Sequence, residues 1–328
     1  MDSKKITLIL CPIFAALTVI FTALAIINFV KEPEMQVQIE TKAAEYVMSG
    51  EAEIDAPAKM LDGVVSNNMK AQASYPEGIL EELKQAYSIN NSLVGWLSIP
   101  GTEIDTAVLQ SGDNSKYLKK DFYERSTTNT TSTNYGNIYL DYRCIADGIS
   151  ENTVIHGHTT GKGDGIPKQA FRSLYDYRDK QTFIESPIIK YSTLYNEYTY
   201  KICAVFLSTT EPSADNGYFF NYIYPDMSDS NMVGYIEQVK QRMLYDTGVS
   251  LEPTDKVITL STCIYDYGKS VDTRLVVVGR LLHEGESTDI DASLVKDNPD
   301  YRRPQVWYSR SGKTNPYKNA EKWQPSAK

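Results

Sequence analysis

A lone cysteine ends the apolar segment Val257-Ile-Thr-Leu-Ser-Thr-Cys263, and Arg274 opens a second apolar segment, Arg274-Leu-Val-Val-Val. Both segments read as buried β-strands, so a thiol and a guanidinium enter one place from two strand ends. A third strand-like segment, Thr153-Val-Ile-His156, runs into the Gly-rich loop Gly157-His158-Thr-Thr-Gly-Lys-Gly163. The chain has three histidines, and two of them, His156 and His158, lie at this strand end. Cysteine, histidine and arginine together suit acyl transfer. A thiolate attacks an amide carbonyl. Arginine supplies N–H donors to the oxyanion that forms. Histidine protonates the amine that leaves. The thioester then waits for a second nucleophile: an amine completes transpeptidation, and water completes hydrolysis.

Each residue also has a plainer reading. A cysteine at a strand end and a histidine in a Gly-rich loop are more often structural, and Arg274 alone reads equally as a surface residue on an edge strand. His156 and His158 share one strand face, and with Cys263 they would make a His2Cys zinc set. No fourth ligand is evident, so no metal and no cofactor are expected.

These residues need a rigid frame. Residues 94–109 read as strand, Pro100-Gly101 turn, strand. Further strands are predicted at 136–142, 153–156, 188–191, 198–207, 256–263 and 273–282, which argues for a closed or sandwiched β architecture. Helices are predicted at 170–177 and at 232–246, where Val233, Ile236, Val239 and Met243 keep helical spacing. Ile79, Leu80, Leu83 and Tyr87 give one more amphipathic helix, placed to pack on the main domain.

The amino-terminal region is different in kind. Residues 6–30 are an almost uncharged apolar run, longer than the roughly 20 residues that span a bilayer. Lys4 and Lys5 precede it; Lys31, Glu32 and Glu34 follow it. The positive flank predicts a cytoplasmic amino terminus (residues 1–5), a single-pass membrane helix at 6–30 and an extracellular remainder. A cleaved signal peptide fits less well, because its apolar core would be about 7–15 residues and Asn28-Phe-Val-Lys-Glu-Pro is a poor cleavage site. Residues 31–76 read as a helical stalk, with helical stretches at 38–48 and 58–73 and punctuation at Pro57 and Pro76. Residues 77–283 make the main domain. Residues 284–328 are a polar tail, expected to be loosely ordered, with Trp and Tyr side chains available to dock back.

Composition narrows the classes further. A formal net charge of −9 leaves no electrostatic footprint for nucleic acid. The 24 tyrosines suit strand faces and peptide surfaces alike, so they do not decide function. Cys11 lies in the apolar run, which leaves Cys144, Cys203 and Cys263 outside; an odd number requires an unpaired thiol. Cys144 and Cys203 read as ordinary buried cysteines, and their spacing gives no support for a disulfide.

With these motifs in place, the chain resembles the sortases, membrane-anchored cysteine transpeptidases of Gram-positive bacteria. Thr259-Leu-Ser-Thr-Cys263 followed by Arg274-Leu-Val-Val-Val looks like their active-site signature. Val154-Ile-His-Gly-His158 matches their segment ending in Gly-His, which assigns the catalytic role to His158 rather than His156. Val94-Gly-Trp-Leu-Ser-Ile-Pro-Gly-Thr-Glu-Ile-Asp105 and Asn137-Ile-Tyr-Leu-Asp-Tyr142 are similar to early strands of class B, as is the helix at 232–246 in its long insertion. The likeness spans residues 77–283. It implies a mainly β fold, a closed eight-stranded barrel with peripheral helices, in which Cys263 and Arg274 sit on adjacent strands and His158 lies across a groove. It implies cleavage of a carboxy-terminal sorting motif of exported proteins after threonine, and transfer through a Cys263 thioester to an amine of the cell wall. Residues 208–252 would form one wall of the groove, and Ser261 and Thr262 would bind substrate. Thiolate and imidazolium would coexist in a minor fraction only. The alternatives are a pilin polymerase using a Lys amine, a cysteine protease releasing product to water, and a non-catalytic peptide-binding scaffold. Two departures stand out. His156 occupies a position where class B members often carry tyrosine, and the acid two residues after the cysteine is absent, since Tyr265 is there and Asp266 is next.

Overall fold

A strand that is apolar on both faces needs cover on both faces. That requirement organises the computed structural model, which describes residues 75–125, 136–159, 171–268 and 270–326. Its strands are β1 (Leu93–Ser98), β2 (Asp105–Leu109), β3 (Tyr139–Leu140), β4 (Asn152–Gly157), β5 (Ile188–Thr193), β6 (Glu197–Thr209), β7 (Tyr245–Asp246), β8 (Val257–Ile264), β9 (Thr273–Leu281) and β10 (Lys296–Asp297). Its α-helices are α1 (Glu81–Ile89), α2 (Lys180–Glu185), α3 (Asp229–Arg242) and α4 (Gln305–Ser311). Eight strands close a barrel in the order β1-β2-β3-β4-β8-β9-β6-β5, and β10 and β7 form a separate pair. The closed eight-stranded barrel expected from the sequence is therefore present, with helices around it.

The valine run of β9 shows how the two faces are used. Leu275 and Val277 enter the barrel core beside Val154, Ile258 and Leu260. Val276 and Val278 enter a second core under α3, beside Phe206, Met232, Tyr235 and Val239. On β6 the phase changes along the strand. Ile202 faces the first core and Cys203 and Ala204 the second; Val205 and Leu207 then return to the first. A register shift between Ile202 and Ala204 accounts for this, because one extra residue exchanges the faces. Strand β8 lies between β4, paired in parallel, and β9, paired antiparallel. Its Val257 belongs to the outer core, while Ile258 and Leu260 fill the barrel. By alternation Cys263 shares the outer face with Val257, and so does Arg274 with Val276.

Several expectations change. The strand predicted at 136–142 shortens to β3, because the chain turns at Asp141, whose carbonyl accepts the Cys144 N–H at 2.9 Å. The helix predicted at 170–177 is a 3-10 helix, Arg172–Arg178, followed by α2, whose N-cap Asp179 accepts the Gln181 N–H at 2.9 Å. Helix α3 starts at Asp229 behind the Ser228 cap and stops before Leu244, whose N–H goes to Val205. The predicted helices at 38–48 and 58–73, the membrane run at 6–30 and the stalk up to residue 74 lie outside the described residues. No helix among the described residues is long and apolar enough to cross a membrane.

The segment expected to be a loose tail is packed. Its β10 pairs with β7, its Tyr308 and Trp323 are buried, and Arg302 is buried with them. At the start of this segment Glu286 accepts from both Nη atoms of Arg280, each at 2.7 Å, and from Lys201 Nζ at 2.9 Å. The Arg280 side chain is 2% exposed, so it has almost no water to fall back on. Polar composition misled here because aromatic and arginine side chains in a charged stretch bury their apolar bodies and pair their heads.

Glu286→Gln leaves two largely buried cations without their shared carboxylate. The expected result is a loss of about 3 kcal/mol in urea unfolding, against under about 1 kcal/mol for the exposed pair Lys84–Glu81 broken by Glu81→Gln.

Candidate active site

Cys263 and Arg274 are register partners across β8 and β9. Arg274 Nη1 donates to Cys263 Sγ at 2.7 Å. The same Nη1 contacts Asp272 Oδ1, and Nη2 donates to Asp272 Oδ2 at 2.9 Å, a two-pronged pair that fixes the guanidinium plane. Asp272 was not singled out in the sequence. Its signal was there: an acid two residues before an arginine on a strand shares the arginine's face.

His158 arrives from the other side. The parallel register of β4 on β8 ends at the pair Gly157–Thr262, the residues just before His158 and Cys263. Three backbone and hydroxyl contacts hold the histidine segment. Phe171 N donates to the His158 carbonyl at 3.1 Å. Thr262 Oγ1 donates to the Gly157 carbonyl at 2.8 Å, and Thr159 Oγ1 lies 2.5 Å from Thr262 Oγ1. Gly157 is required here: a Cβ would stand 2.7 Å from the Phe171 ring. The imidazole Nε2 lies 3.1 Å from the Leu118 carbonyl, a backbone partner that no side-chain pattern announces.

The other predicted residues fall as follows. Ser261 and Thr262, expected to bind substrate, are 3% and 1% exposed. Their hydroxyls are occupied internally, Ser261 with the Tyr222 hydroxyl at 3.0 Å and Thr262 with Gly157 and Thr159. They support the site from behind and do not face solvent. His156 turns elsewhere, its Nε2 3.0 Å from Asp141 Oδ2, and that buried carboxylate also takes Arg143 Nε at 2.8 Å. The His2Cys set weighed in the sequence is thus not assembled, and among the described residues no group of three metal-ligating side chains forms. Asp266 pairs with Arg178 at 2.6 Å. Cys144 and Cys203 are free buried thiols in different cores. Burial pushes them up to about 11 and about 12, which keeps them unreactive.

Electrostatics favour a neutral resting pair. Burial raises the Cys263 thiol above its ordinary value; Arg274 pulls it down and Asp272 pushes it up. Burial lowers His158, the Leu118 carbonyl opposes that, and Arg274 adds to it. Burial also pushes the Tyr222 phenol up to about 12, so its proton stays for the bond with Ser261. A partly exposed thiol with a guanidinium against it and an imidazole on the adjoining strand end can form and break an acyl–sulfur bond.

Known proteins resemble this chain in sequence and in fold. The Sortase domain family model matches residues 97–282. Sortase B of Listeria monocytogenes is 32% identical over 206 residues, which is 62% of this chain and 75% of the relative. A solved Staphylococcus aureus sortase B–substrate complex superposes with a TM-score of 0.52 at 26% identity, over 63% of this chain and 87% of that one. A solved sortase B complexed with triglycine gives a TM-score of 0.52 at 26% identity, over 61% and 85% of the two chains.

Alkylation of Cys263 reports its thiolate fraction against pH. The midpoint is expected above the ordinary thiol value. Removing the carboxylate with Asp272→Asn should move it down, and removing the cation with Arg274→Gln should move it up. Iodoacetamide rates measured from about pH 6 to about pH 10 check both signs.

Proposed function

This chain belongs to the sortase family, in class B, and is a cysteine transpeptidase; we propose that Cys263 is its nucleophile, His158 its general acid and base, and Arg274 its oxyanion or substrate stabiliser. The observation that supports the assignment is the hydrogen bond from Arg274 Nη1 to Cys263 Sγ at 2.7 Å, on a strand whose other neighbour, β4, ends one residue before His158. The proposed substrate is a carboxy-terminal sorting motif of an exported protein. The Cys263 sulfur bonds to the carbonyl carbon of the motif's threonine, the C–N bond to the next residue breaks, and His158 gives its proton to the departing amine. An acceptor amine then attacks the thioester, His158 takes its proton, and the thiolate leaves. A solved sortase B–substrate complex supports binding of such a substrate, and a solved sortase B–triglycine complex supports an amine acceptor.

The two pKa directions set the pH behaviour. Ordinary values near 6.5 and 8.5 already hold the thiolate–imidazolium pair to about 1% of the enzyme, and the opposed shifts lower it. The reaction needs His158 protonated and Cys263 ionised. Its rate therefore rises through the lowered His158 pKa, stays flat across neutrality, and falls above the raised Cys263 pKa.

In this reading the insertion 208–252 walls the groove, with the Tyr222–Ser261 bond tying that wall to β8. Residues 6–30 would hold the catalytic domain on the outer face of the cell membrane, on the strength of their apolar length and basic flank. An amine of the cell wall is the proposed acceptor, and the triglycine complex of a relative supports a peptide amine in that role. Transfer to a pilin lysine remains the competing product.

The test is mass spectrometry of the acyl group trapped on Cys263 in the host, followed by release with triglycine. Cys263→Ala should give no adduct. His158→Ala should cut turnover by about 10²–10⁴-fold, while His156→Ala should keep it within about tenfold, its loss falling on stability through Asp141. Reversed histidine results would sink the assignment. Release by water at the same rate with and without triglycine would indicate a protease instead.

A further inference from the structure

Beyond the residues 97–282 matched to the family, the chain returns to the insertion that walls the groove. Trp323 is its anchor, 7% exposed in the core under α3. Its indole packs on Phe220 at 5.8 Å and on Tyr235 at 6.1 Å between ring centroids. The backbone around it is tied as well. Its carbonyl accepts the Tyr218 hydroxyl at 3.0 Å, and Asn231 exchanges hydrogen bonds of 2.9 Å in both directions with Ser326.

Helix α3 is shaped to admit this ring. A Cβ at Gly234 would stand 2.0 Å from Trp323 Cδ1, so only glycine allows the indole to lie against the helix. Glycine inside a helix is less favourable than alanine, so its presence there follows from the ring and not from the helix. The contact then leads toward the thiol. Phe220 packs on Tyr222 at 6.1 Å, and the Tyr222 hydroxyl meets Ser261, two residues before Cys263 on the same strand face.

We infer that the carboxy-terminal segment is a working part of the enzyme, and that Trp323 is a positioning residue that sets the insertion wall for the sorting peptide. The inference rests on Cys263 chemistry and on the insertion as groove wall. It predicts an effect on substrate binding with little effect on the thiol itself. A segment that only added stability would leave KM in place for whatever fraction of the protein was folded.

Two substitutions in the full chain test it. Trp323→Ala removes the ring; Gly234→Ala keeps the ring and improves helix propensity, but places a methyl where the indole lies. Each should raise KM for the sorting peptide about tenfold with kcat within about twofold, leave the iodoacetamide rate of Cys263 unchanged, and lose the difference when the two are combined. Trp323→Phe should recover most of the KM. Gly234→Ala carries the test alone if Trp323→Ala does not fold. Unchanged KM in the folded variants, a fall in kcat alone, or unfolding of both overturns the inference. Absence of acyl transfer by the unsubstituted chain would instead overturn the assignment of Cys263.

Discussion

The antiparallel register of β8 on β9 is the constraint on which the site depends. It places Cys263 opposite Arg274, and a slip of one residue would turn every side chain of β8 to the other face. The slip is opposed from both sides. Val257 and Val276 must reach the outer core while Ile258, Leu260, Leu275 and Val277 fill the barrel. The site thus inherits its precision from packing: the same alternation that fills two cores presents the thiol and the guanidinium together.

Rigidity and reactivity pull in opposite directions here. Holding the thiol and imidazole still requires burial, and burial favours their uncharged forms. Arg274 is the local counterweight for the thiol, and Asp272 limits it by neutralising part of the same guanidinium. The acid also fixes the guanidinium plane, so it trades some thiolate for orientation. His156 and Asp141 show the alternative use of such groups, since that pair is committed to holding Arg143 and the turn after β3.

The outer layer adds a second kind of support. Its aromatic rings run from Trp323 through Phe220 to Tyr222, and that path ends on a hydroxyl of the cysteine strand. The insertion and the carboxy-terminal segment are far apart in sequence, yet each covers apolar surface the other would leave open to water.

The sequence by itself determined most of the barrel strands and the three reactive residue types. Period-two alternation, β-branched runs and Gly/Pro punctuation depend on neighbours a few residues away, so Val257 to Cys263 and Arg274 to Val278 were legible as strands ending in chemistry. The glycine before His158 was legible too, although its reason, the Phe171 ring, was not. Only the tertiary structure decided which residues meet. Asp272 on Arg274, Leu118 on His158, Tyr222 on Ser261 and Trp323 on Gly234 join positions whose contact depends on strand register and chain return. It also withdrew Ser261 and Thr262 from solvent and settled the segment after residue 283 onto the domain. Local patterns report which face a side chain takes; they carry no information about what closes over that face, because that cover comes from distant chain.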